Sequence, residues 1–110
     1  MALQHARPLD IIDVRPLGPG LHAVVTTSLL KTPGLQLMRL VLRAGHALPE
    51  HRVPGEITIQ CLEGEALVTT ASRACPLHAG ELVMLGGGEP HAVQAVTDAS
   101  LLVTVVLAAR

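Results

Sequence analysis

Gly45-His46-Ala47-Leu48-Pro49-Glu50-His51-Arg52-Val53-Pro54-Gly55-Glu56-Ile57-Thr58-Ile59-Gln60-Cys61-Leu62-Glu63-Gly64 is the stretch on which the fold turns. Pro54-Gly55 punctuates it, and the run that follows alternates apolar and polar residues. Such a period of two belongs to a strand, not a helix. On that strand Ile57, Ile59 and Cys61 share one face and read as interior, while Glu56, Thr58 and Gln60 share the other. The Gly64 turn is short enough to predict a hairpin to the next run.

The rest of the chain has the same texture. Further strands are predicted over Ile11–Val14, His22–Leu30, Leu35–Arg43, Glu56–Leu62, Glu65–Thr70, Glu81–Leu85, Ala92–Val96 and Leu101–Leu107. Gly18-Pro19-Gly20, Thr32-Pro33-Gly34, Gly86-Gly87-Gly88-Glu89-Pro90 and Thr97-Asp98-Ala99-Ser100 supply turns between them. Many short strands at regular spacing imply a sandwich or a barrel. At 110 residues the chain is expected to be one domain, residues 1–110, with the barrel over 20–107. Residues 1–19 hold three of the eight prolines and read as an extended arm or edge strand. In His91-Ala92-Val93-Gln94-Ala95-Val96 both faces are mostly apolar, so alternation leaves the inward face of that strand open.

Composition excludes several functions. Phe, Tyr and Trp are absent, so bases have no rings to stack on and a quaternary ammonium has no aromatic cage. A net charge of −1 supplies no field for nucleic acid or a membrane surface. The most apolar stretch, Leu101–Ala109, is too short to span a bilayer. The start of the chain lacks the apolar centre of a secretion signal. Two cysteines make no disulfide framework, and the expected location is the cytoplasm. Phosphate loops, dinucleotide fingerprints and Gly-x-Ser-x-Gly elbows are missing.

Gly45, His51 and Gly64 fall in register with the first motif of the cupin superfamily: Gly, five residues, His-x-His, three or four residues, Glu, six residues, Gly. Gly80, Gly88 and His91 fall on positions of the second: Gly, five residues, Pro-x-Gly, two residues, His, three residues, Asn. The chain therefore resembles a small single-domain cupin over roughly residues 40–107. The resemblance implies an all-β double-stranded β-helix, or jelly roll, with His51 and His91 directed into the barrel mouth. It also implies a homodimer. Gly64 and Gly88 fit turn positions suited to positive φ.

The departures from the motifs bear on function. Val53 stands at the second histidine position and Ile57 at the acidic one; Gly86 replaces the proline and Ala95 the asparagine. Only two of the four ligands of a metal-binding cupin remain. Glu56, Gln60 and His46, with Glu50, are the nearest substitutes. Glu56 would need a bulge at Pro54-Gly55 to change face. Gln60 points away from Ile57 and Ile59, and His46 and Glu50 lie on what reads as the entering loop. His5, His22 and His78 read as surface or turn residues, and Met38 and Met84 as gap-fillers.

Three functions follow. The first is a small-molecule-binding module with a pocket lined by His51, His91, Val53, Ile57, Ile59, Cys61 and Val93, either metal-free or holding a divalent ion weakly. The second is a metal-dependent dioxygenase, isomerase or sugar-lyase-like enzyme using iron, manganese, nickel or zinc on His51 and His91. The third is a structural dimerisation unit in which the arm and the strand Leu101–Leu107 pair two chains.

Overall fold

A computed structural model describes residues 5–107. Among these described residues nine strands form two antiparallel sheets: β1 (Thr27–Lys31), β2 (Leu35–Leu42), β3 (Ala47–His51), β4 (Ile57–Glu63), β5 (Glu65–Thr70), β6 (Ala74–His78), β7 (Leu82–Leu85), β8 (His91–Ala95) and β9 (Ala99–Val106). The first sheet runs β1-β2-β9-β4-β7 and the second β3-β8-β5-β6. Together they make the expected double-stranded β-helix. Its core holds Leu40, Ile57, Ile59, Cys61, Val68, Val93, Leu101 and Val103, so branched aliphatic side chains fill the volume that rings usually take.

Alternation assigned β4 correctly: Ile57, Ile59 and Cys61 are buried, and Gln60 faces away. The structure decides β8, whose inward face alternation left open: His91, Val93 and Ala95 point inward and Gln94 outward. The Gly64 turn differs from the hairpin expectation. β4 pairs with β7 and β9, whereas β5 pairs with β6 and β8, so Gly64 carries the chain from one sheet to the other. Its φ of +78 and the closeness of the Asp98 carbonyl explain why this corner holds glycine.

Two strands escape the sequence reading, and the reason is proline. β3 contains Pro49 and β6 contains Pro76. Both strands lie on the edges of the second sheet, where a residue without an N–H is tolerated. Glu50 consequently sits in β3 and not in an entering loop. In the other direction, Ile11–Val14 is irregular, and His22–Leu30 shrinks to β1 behind a 3₁₀ turn over Gly18–Ala23. The described part of the segment 1–19, from His5 onward, forms an arm with one backbone bond to β1, from the Ala6 N–H to the Leu29 carbonyl.

Glu63 anchors this arm. Its carboxylate accepts the Leu17 N–H at 2.8 Å, the Gly18 N–H at 2.9 Å and the Ser100 hydroxyl. Burial pushes the Glu63 pKa up, but the bonds from Leu17, Ser100 and Gly18 outweigh it and hold the carboxyl below its usual value. Arg39, buried under the arm, donates to the Arg15 carbonyl at 3.0 Å. The arm thus covers part of the outer face of the first sheet. β9 lies between β2 and β4 with both edges paired, so the strand expected over Leu101–Leu107 has no free edge.

Candidate functional site

The barrel is packed solid at one end and hollow at the other. Near Cys61 and its register partner Leu101, the second sheet supplies Ala66 and Ala95, also register partners, and the layers close over them. Toward Ile57 the sheets leave a cavity of about 240 Å³. Ile57, Ile59, Val103 and Val105 line it from the first sheet, and Leu48, Val93, His51 and His91 from the second. Val53 and Pro54 reach it from the β3–β4 connection.

The two histidines face each other because β3 and β8 place them in register. A shift between Leu48 and His51 brings His51 opposite His91. The ring centroids are 4.4 Å apart and tilted by 55°. His91 is buried, 3% exposed, whereas His51 is open to solvent. The Glu89 carbonyl accepts from His91 Nδ1–H at 3.1 Å, and the Pro49 carbonyl accepts from His51 Nδ1–H at 3.3 Å. A carbonyl can only accept, so in the neutral rings Nδ1 carries the proton and Nε2 a bare lone pair.

The structure therefore gathers His51, His91, Val53, Ile57, Ile59 and Val93 around one cavity. Cys61 is a correction: it shares the inward face of β4 but lies at the filled end, outside the cavity lining. Its thiol donates to the Glu63 and Gly64 carbonyls, both at 3.4 Å, and burial pushes its pKa up. Glu56, Gln60, Glu50 and His46 do not reach the cavity. Glu56 is exposed at the β4 entry, where its carbonyl pairs with the Val106 N–H without bringing its carboxylate inward. His46 borders a separate surface groove beside Arg43. Met38 lines the cavity, whereas Met84 is 61% exposed and lies outside the cavity lining.

The other histidines have local partners. His5 meets the Ser28 hydroxyl at 3.0 Å, and His78 pairs with Glu81 at 3.2 Å. His22 pairs with Asp98 at 2.7 Å, a carboxylate 76 residues away that sequence spacing could not reveal. Gln36, Met38 and Leu40 of β2 also line the cavity. Inward alternation along β2 was the signal available for them.

Cupin motifs imply a metal site, and the donors here do not fit one. Among the described residues, no three His, Cys, Asp or Glu side chains gather as a ligand group. His51 and His91 alone leave a divalent ion short of the three or four protein ligands that hold it. The arrangement instead offers an apolar chamber with two lone pairs at one end.

An antiparallel double-stranded β-helix with a chamber opening beside a histidine pair defines the cupin class of protein. The family model described as "Cupin domain" matches residues 38–107, and the chain belongs to that family. Solved structures agree on the fold. A conserved protein of unknown function from Streptococcus pyogenes is 20% identical, with full coverage of both chains and a TM-score of 0.77. A cupin superfamily protein from Desulfitobacterium hafniense is 19% identical over 94% of this chain and 100% of that one, with a TM-score of 0.78. An RmlC-like cupin from Desulfovibrio desulfuricans is 24% identical over 96% and 97% of the two chains, with a TM-score of 0.69. A comparison with curated protein sequences finds no match. No helix among the described residues is long and apolar enough to cross a membrane.

Proposed function

We propose that this cupin binds a small organic molecule in the cavity between its sheets, with His51 and His91 as the polar end of the site. The observation that carries this reading is the chamber itself. It measures about 240 Å³, is walled by Leu, Ile, Val and Met, and has a buried imidazole at one end. Ligand sites are concave and mostly apolar, with a few placed polar groups. An apolar cavity of roughly 150 Å³ takes a benzene ring, which scales to about ten non-hydrogen atoms here.

The metal-enzyme reading has less support, because Glu56, Gln60 and His46 stand outside the cavity. A homodimer is the assembly we infer. Leu82 and Met84, exposed on β7 at the edge of the first sheet, give it apolar groups away from the arm. The two cysteines are unpaired, which fits the reducing cytoplasm.

The test pairs elemental analysis with a fragment screen on protein purified without added metal, then loaded with Fe(II), Mn(II), Ni(II) or Zn(II). Organic fragments are expected to bind and to be lost on filling the chamber with Ile59→Phe. Stoichiometric metal that both His51→Ala and His91→Ala abolish would overturn the reading in favour of the enzyme.

A further inference from the structure

The hydrogen-bond polarity of the chamber limits what fits it. Its polar side chains are His51, His91 and Gln36. Both imidazoles spend their Nδ1 proton on backbone carbonyls. Among the described residues neither Nε2 has a hydrogen-bond partner. Gln36 donates one amide N–H to the Ser28 hydroxyl at 3.0 Å and keeps its second N–H and its carbonyl oxygen. The two imidazoles therefore present acceptors alone, and Gln36 presents both a donor and an acceptor. His51 is open to water, whereas His91 is 3% exposed, and a ligand filling the chamber would cut its Nε2 off from water and leave that acceptor costly unless matched.

Each ligand class meets these acceptors differently. A carboxylate would bring its own lone pairs against the two imidazoles, which offer it no proton while they are neutral, and would find only the second Gln36 N–H. An ammonium ion would find acceptors but no carboxylate, and would be costly to desolvate among aliphatic walls. A pure hydrocarbon or an ether would leave His91 Nε2 unmatched. A hydroxyl donates its one proton to His91 Nε2 and keeps its oxygen lone pairs for water at the open side, beside His51.

We propose that the cavity selects an uncharged, largely aliphatic alcohol of about ten non-hydrogen atoms, its hydroxyl donating to His91 Nε2. This rests on the reading of the chamber as a ligand site and adds the class of ligand. The test uses four probes of one shape: 2-cyclohexylethanol, its isomeric ether (methoxymethyl)cyclohexane, cyclohexylacetate and 2-cyclohexylethylammonium. Affinities are measured by calorimetry and ligand-observed NMR at about pH 8, above the ordinary imidazole range.

The alcohol is expected to bind about tenfold more tightly than the ether, the difference of one hydrogen bond. The two ions are expected to bind more weakly still. His91→Leu is expected to erase the preference for alcohol over ether while leaving ether binding in place. Far-UV circular dichroism checks that this variant folds, and the wild-type probe series decides the matter if it does not. Ether or carboxylate binding as tightly as the alcohol would overturn the inference and leave the ligand site standing. Failure of all four probes to bind would overturn both.

Discussion

Gly64 and Gly88 form a controlled pair, because both have a φ of +78 and they differ in their surroundings. A Cβ added at Gly64 would lie 2.0 Å from the Asp98 carbonyl oxygen and 3.0 Å from Ala99 Cα. A Cβ at Gly88 would meet nothing within 4 Å. The left-handed backbone alone costs an L-residue about 1–2 kcal/mol. Overpacking against backbone, which cannot swing aside as a side chain would, adds about 1–3 kcal/mol. Gly88→Ala is therefore expected to lose about 1–2 kcal/mol, and Gly64→Ala about 2–5 kcal/mol, out of a domain stability of roughly 5–15 kcal/mol. Urea unfolding followed by far-UV circular dichroism measures both, since without Phe, Tyr or Trp there is no intrinsic aromatic fluorescence to follow. Equal losses in the two variants would refute the placement of the β4–β5 corner against the β8–β9 turn.

Two further outcomes follow from Glu63 and the two cysteines. Glu63 has a depressed folded-state pKa, so its stabilisation is present above the ordinary carboxyl value of 4.5 and is lost as pH falls through the folded value. Glu63→Gln is expected to cost about 1–3 kcal/mol at neutral pH. That gap from wild type should close in acid, and a gap independent of pH would contradict the arm anchor. A thiol reagent on native protein is expected to label Cys75 and to reach Cys61 only after unfolding, because Cys61 is fully buried. Labelling of Cys61 at the Cys75 rate would place it at the cavity after all.

The sequence carried the fold wherever side chains obey a single period. β4 was legible because Ile57, Ile59 and Cys61 alternate with polar neighbours. β3 and β6 were not, since Pro49 and Pro76 read as breakers and only the completed sheet shows that they lie at edges. The Gly64 corner looked like a hairpin because turn chemistry is local, whereas the choice of sheet depends on pairing with β7 and β9. At the site, motif spacing singled out His51 and His91 and alternation singled out Ile57 and Ile59. Neither could place the boundary between hollow and filled core. That boundary lies between Ile59, which lines the cavity, and Cys61, which does not, and it depends on how the two sheets pack together. The polarity of the imidazoles was equally hidden, because it depends on the Pro49 and Glu89 carbonyls.

Methyl NMR during a titration with 2-cyclohexylethanol tests the chamber most directly. If it is the binding site, saturable shifts appear at the methyls of Ile57, Ile59, Val93, Val103 and Val105, with Leu82 and Leu35 on the outer face unmoved. Shifts confined to Leu82, Leu35 and their neighbours, or no shifts at all, would contradict it.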